Sequence, residues 1–104
     1  MIEKIKNILA GTGLPVTYSA WPEGKAPQMP YICFLTVGSH NFAADGIAYS
    51  SAHRVQIELY TEKIDEASEK KITDALDAAG IFWESDYTYI DTEKCYETIY
   101  EIEV

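Results

Sequence analysis

The two histidines and the serines near them are the first residues whose types suggest chemistry. His40 and His53 flank the stretch that joins two predicted strands, so that strand pairing could bring them together. Such a pair could hold a metal ion, or one imidazole could activate a neighbouring hydroxyl. The nearby hydroxyls belong to Ser39, Ser50 and Ser51. However, no carboxylate stands at a fixed spacing from both histidines, and no zinc-protease, nucleophile-elbow or P-loop motif is present. We therefore expect structural or exposed histidines, no metal site and no catalytic residue.

Paired acidic residues are the second candidate for chemistry. The pairs are Asp65 with Glu66, Asp74 with Asp77, and Glu101 with Glu103. Acid–base catalysis by two carboxylates requires that they sit in different environments on either side of a cleft. Glu101 and Glu103 instead alternate on one outer strand face, where both meet solvent. We expect no enzymatic activity and no cofactor.

The two cysteines, Cys33 and Cys95, have a spacing that fits no metal motif. In a reducing compartment, two cysteines remain free thiols that behave as small apolar side chains. We therefore expect no structural disulfide.

Aromatic residues are abundant, with eight tyrosines, three phenylalanines and two tryptophans. Four of the tyrosines alternate along two adjoining predicted strands: Tyr87, Tyr89, Tyr96 and Tyr100. They could stabilise the sheet as cross-strand pairs, or some could lie at a subunit interface. The acidic residues interleaved among them disfavour an aromatic platform for single-stranded nucleic acid.

The net charge of -9 is distributed unevenly. Residues 1–57 carry three acidic and four basic side chains, whereas residues 58–104 carry 14 acidic and four basic ones. Because nucleic-acid and membrane surfaces attract basic faces, we expect direct binding to neither. The acidic half is either a solvated surface, or a face that docks on a basic partner or on the neutral half of another copy.

The elements that position these residues centre on one strand and the helix after it. Residues 51–61 alternate, with Val55, Ile57 and Leu59 on the face that we expect to be buried. After this strand, apolar residues recur at helical spacing. We expect the helix to begin at Asp65, which is a good N-cap, and to end at Gly80. The apolar stripe of this helix is Ile72, Ala75, Leu76 and Ala79.

The other predicted elements follow from periodicity and from glycine and proline positions. They are a helix over residues 2–10, a short strand over 16–18, a proline-bearing loop over 21–30, a strand covered on both faces over 31–37, a connector over 38–50, and strands over 81–89 and 96–104. This order predicts one α+β domain spanning residues 1–104. The domain is expected to hold a mostly antiparallel, mixed β-sheet of four to five strands with two helices packed on it.

The predicted connector over residues 38–50 is longer than a hairpin needs. It contains two apolar residues, Phe42 and Ile47, in a segment that should face water. Apolar side chains on such a loop favour a partner that covers them. Phe42, Asp45 and Ile47 are therefore the predicted protein-interaction residues.

The layout resembles the tail terminator, or tail completion, proteins of long-tailed phages and prophages. The matching segments are 12–16 (TGLPV), 29–34 (MPYICF), 41–46 (NFAADG), 55–65 (VQIELYTEKID) and 96–102 (YETIYEI). The resemblance implies a non-enzymatic structural subunit with a tail-terminator-like fold. Copies would form a ring, commonly a hexamer, that caps the tail tube and joins it to the head connector.

The partners implied by the resemblance are further copies of the chain, the tail tube protein and the head–tail connector proteins. The chain would be found in the host bacterial cytoplasm during assembly and then in the tail or neck of the virion. The absence of a signal sequence and of a long apolar run also leads us to expect a cytoplasmic protein. An alternative from the charge alone is a small acidic module that inhibits or regulates a basic-surfaced host or phage protein.

Overall fold

The computed structural model describes the backbone of residues 1–44 and 47–104, and the side chains of residues 1–38 and 53–104. Its elements are α1 (Ile2–Ala10), β1 (Val16–Tyr18), β2 (Tyr31–Ala44), β3 (Ile47–Thr61), α2 (Glu66–Ala78), β4 (Trp83–Ile90) and β5 (Cys95–Glu103). The predicted α+β class is confirmed, with two helices and one open, mixed sheet. No helix among the described residues is long and apolar enough to cross a membrane.

The five strands form one sheet in the order β1-β2-β3-β5-β4. β1 runs parallel to β2, and the remaining pairs are antiparallel. The register sets Ile57 of β3 between Phe34 of β2 and Tyr100 of β5. Because side chains at paired positions of neighbouring strands lie on the same face of a sheet, these three side chains form one continuous surface.

Both helices pack on that surface and close the core. The alternation predicted for β3 is confirmed, since Val55, Ile57 and Leu59 are buried. The buried residues of the same core come from both helices, from β2 and β5, and from the segment before β4: Ile5, Leu9, Ile32, Phe34, Ile72, Leu76, Ile81, Tyr100 and Ile102. The core therefore lies on one side of the sheet, and the opposite side carries no helix.

The capping residues of α2 behave as predicted. The carboxylate of Asp65 accepts hydrogen bonds from the Ser68 backbone N–H at 3.0 Å and from the Ser68 hydroxyl at 2.8 Å. These bonds satisfy an orphan donor of the first turn and fix where the helix begins. Gly80 follows the helix with φ +71°, a conformation that glycine adopts without strain.

The prediction that residues 38–50 form a connector between the strands is wrong. The β2–β3 ladder continues from Gly38 opposite Arg54 to Ala44 opposite Ile47, with irregularities between Thr36 and Gly38 and between Phe42 and Ala43. The strands continue through this segment because the backbone groups of each strand are the hydrogen-bond partners of the other. Gly38 therefore lies next to a bulge within the ladder, and no loop begins there. β2 is consequently 14 residues long and β3 is 15.

Two further expectations are corrected in part. Strand 31–37 is covered on both faces only at its beginning, because Cys33 is buried whereas Val37 is 44% exposed. The strand predicted from residue 81 begins at Trp83, with Ile81 buried just before it. In β5, the alternate positions Thr98, Tyr100 and Ile102 are buried.

Candidate functional site

The outer halves of β2 and β3 form a projection that we call the hairpin arm, residues 38–44 and 47–53. β1 pairs with β2 as far as Phe34, and β5 pairs with β3 as far as Arg54. Val104 adds two backbone hydrogen bonds to His53, at 2.6 and 2.9 Å. Past these points, within the described backbone, β2 and β3 pair only with each other.

The arm makes the molecule elongated. The whole chain extends over 50 × 28 × 23 Å, and its radius of gyration is 14.9 Å. A compact domain of this length has a radius of gyration of about 13 Å. A two-stranded hairpin is at best marginally stable alone in water, and both of its outer edges offer unpaired backbone groups. The arm therefore has the properties of an element that another chain would cover.

Two of the three sequence-predicted interaction residues, Phe42 and Ile47, fall on this arm. The backbone of Phe42 pairs with Ser50 in β2–β3, and Ile47 begins β3 opposite Ala44. The side chains of Phe42 and Ile47 lie outside the described residues, as does the whole of Asp45. Their role in protein interaction stays a prediction.

The register does not set the two histidines opposite each other. His53 pairs with Ser39, and His40 pairs with Ala52. The side chain of His53 is exposed, and that of His40 lies outside the described residues. Among the side chains that the structure describes, no group of three potential ligands could hold a metal ion.

The helix-free face of the sheet carries a cluster of polar side chains around Tyr60. Its hydroxyl lies 2.9 Å from Glu97 Oε2 and 3.2 Å from Glu58 Oε1, so that one O–H is shared between two carboxylates. The amide Nε2 of Gln56 donates to Glu58 Oε2 at 2.8 Å. Neither carboxylate has a basic partner among the described residues.

This arrangement shifts the titration of its members. Partial burial raises the pKa of Glu97, the negative charge of Glu58 raises it further, and the hydrogen bond from Tyr60 opposes both effects. Burial also raises the pKa of Tyr60, together with its hydrogen bond to Glu97. The cluster thus holds more negative charge than its surroundings favour.

We predict that Glu97→Gln stabilises the protein at neutral pH. The folded-state pKa of Glu97 is raised, so its contribution to stability is present below the unfolded-state pKa and is lost as pH rises through the folded-state pKa. Removing the charge should raise Tm by ~2–4 °C at neutral pH, and the gain should fade in acid.

Thermal melts of wild type and Glu97→Gln at several pH values would measure this difference. Glu62→Gln removes the same charge at an exposed position and should change Tm by less than ~1 °C. A lower Tm for Glu97→Gln at neutral pH would show that the carboxylate stabilises the fold instead.

The remaining candidates for chemistry lie apart from this cluster. Glu101 and Glu103 are both exposed, as expected for solvated carboxylates. Cys33 and Cys95 are buried free thiols. Burial raises the pKa of Cys33 to about 11, so that its reactive thiolate is scarce at neutral pH.

Aromatic pairs stabilise the sheet, as one of the two interpretations of the tyrosines predicts. The rings of Tyr89 and Tyr96 lie 5.0 Å apart on β4 and β5, and Trp83 meets Tyr100 at 5.9 Å. Sequence reasoning missed the cluster around Tyr60. Its signal was available, because Glu58 and Tyr60 occupy the outward positions of the strand whose alternation was recognised.

Comparison with known proteins leaves the resemblance to phage tail proteins without further support. No protein-family model matches this chain, and no curated protein sequence matches it.

Proposed function

We propose that this chain is a tail terminator, or tail completion, subunit of a long-tailed phage or prophage. In this role, copies form a ring that caps the tail tube and joins it to the head connector, without enzymatic activity. The proposal draws on the resembling segments, which are spread from residue 12 to residue 102. It is compatible with an open, mixed sheet that has helices on one face only.

The hairpin arm is the observation that carries the proposal. It extends past both neighbouring strands and leaves two open edges, which a second subunit could pair with or cover. In a ring, one patch of each subunit contacts a different patch of the next subunit. A patch that binds its own copy gives a closed dimer instead. The arm supplies one patch that lies far from the rest of the sheet.

The far edge of the sheet offers the second patch. β4 has eight residues, pairs only with β5 among the described strands, and contains neither proline nor lysine. On this edge, Glu84 lies directly opposite Glu101, so the strand already bears close like charges. A second β4 would add to that repulsion, whereas the arm residues 38–44 and 47–53 include no acidic side chain. Charge therefore favours a head-to-tail contact over a symmetric one.

The alternative, a small acidic module that inhibits a basic-surfaced protein, also has a structural observation in its favour. The helix-free face carries Glu58, Glu97 and Glu101, for which the described residues supply no ion-pair partner. Such a module would need no self-association.

Negative-stain electron microscopy of the purified chain, over a range of concentrations, separates the two functions. The ring-forming subunit should give annuli with a central opening, at least at high concentration. Sedimentation of the same samples should then show one discrete oligomer. A chain that stays monomeric at every concentration would contradict the ring proposal and favour the acidic module.

A further inference from the structure

A cleft of about 360 Å³ opens on the helix-free face, between the sheet and the loop before β2. Three aromatic rings form one wall. Trp21 meets Tyr31 edge to face, with centroids 6.0 Å apart, and Tyr31 lies 5.3 Å from Tyr60 in a tilted arrangement. The side chain of Met29 also lines the cleft.

The charge of this cleft is of one sign. Glu58 and Glu93 line it, and Glu97 is joined to it through the hydroxyl of Tyr60. No lysine or arginine lines the cleft among the described residues. Glu58 already accepts two hydrogen bonds, but a carboxylate offers about four acceptor positions, so that capacity remains for a cationic donor.

One polar atom of the aromatic wall has no partner. The indole Nε1 of Trp21 is buried, and nothing among the described residues accepts its hydrogen. Buried indole N–H groups usually find an acceptor. A ligand that combines a cation with a neighbouring carbonyl oxygen would satisfy both the carboxylates and this N–H.

We propose that the cleft binds an arginine side chain of a partner polypeptide. A guanidinium is planar, stacks on aromatic faces and donates to a carboxylate through two N–H groups, whereas an ammonium is a compact, strongly hydrated charge. The peptide carbonyl beside the arginine is the acceptor that Trp21 lacks. This inference goes beyond the proposed function, because it rests on the cleft alone.

The arginine belongs to a different protein, and not to this chain. Arg54 is the only arginine of the sequence, and it lies six positions from Tyr60 along β3, about 20 Å away. In its own copy, Arg54 borders a groove that is lined by acidic side chains: Glu84, Glu101 and Glu103. These carboxylates already provide the environment that its charge favours.

The test follows the indole N–H resonance of Trp21 in ¹⁵N-labelled protein during titration with acetyl-Gly-Arg-Gly-amide. The variant Trp83→Phe assigns the peak, because the chain holds two tryptophans. A single side chain should give saturable binding with Kd of ~1–10 mM, and the citrulline peptide, which is neutral but of the same shape, should bind at least ~10-fold more weakly.

Two variants locate the effect. Glu58→Gln should weaken binding of the arginine peptide by ~10-fold while keeping the indole peak of Trp21 in place, which reports that the cleft remains folded. Glu101→Gln, which removes a charge from the same face outside the cleft, should leave the affinity unchanged.

Three results would overturn the proposal. They are no shift of the Trp21 peak up to ~20 mM peptide, equal affinity for the arginine and citrulline peptides, and equal loss of affinity in both glutamine variants. If Arg54→Lys and Glu58→Gln both abolish self-association, the arginine belongs to a second copy of this chain. That result would overturn the assignment of the arginine to a different protein.

Discussion

Leu59→Ala is expected to lower the free energy of unfolding by about 2–5 kcal/mol. Leu59 is fully buried on β3, the central strand of the sheet, in the core that also contains Ile72 and Leu76 of α2. Truncation to alanine removes apolar contacts and leaves a cavity that the surrounding strands fill only in part. Such a loss is a large fraction of the stability of a domain of this size.

Denaturant melts would measure this loss, with Ile64→Ala as the matched control. Ile64 is 62% exposed in the turn before α2, so that its truncation should cost less than ~0.5 kcal/mol. A loss below ~1 kcal/mol for Leu59→Ala would mean that β3 does not present this residue to the helices.

Removal of the hairpin arm is expected to abolish self-association while leaving the domain folded. In the variant that we suggest, Asn-Gly replaces residues 40–52, so that a two-residue turn joins the paired residues Ser39 and His53. The core residues found among the described side chains, 1–38 and 53–104, all lie outside this segment. The variant should therefore melt within ~5 °C of the full chain but associate at least ~100-fold more weakly.

Sedimentation velocity over a concentration series would compare the arm variant with the full chain and with Ile64→Ala. The Ile64→Ala chain keeps the arm and should assemble like the wild type. Rings formed by the armless chain would show that the subunit contacts lie elsewhere, for example along β4. If the armless chain is unfolded, the arm is needed for the stability of the domain. That result would contradict the expectation that the core outside the arm is sufficient for folding.

The core could be predicted from the sequence because its signals are local. The alternation of Val55, Ile57 and Leu59, and the N-cap at Asp65, each depend on a few consecutive residues. The arm could not be predicted in the same way. Glycine and asparagine in residues 38–44 are typical of loops, and only the pairing with β3 makes this segment a strand.

The candidate sites show the same limit. Tyr60 and Glu97 are 37 positions apart, and they meet because β5 inserts between β3 and β4. The approach of Trp21 to Tyr31 depends on the path of the loop before β2, for which no periodic pattern exists. Outward positions of a strand can be found from sequence, but the strands that adjoin them are set by the whole fold.

The tail-terminator function can be tested by electron microscopy of particles from a lysogen that lacks the gene for this chain. A tail terminator caps the tube and joins it to the head, so its loss should give free heads and headless tails of uncontrolled length, and the restored gene should return normal virions. Normal virions with tails of fixed length from the deleted lysogen would contradict the proposed function.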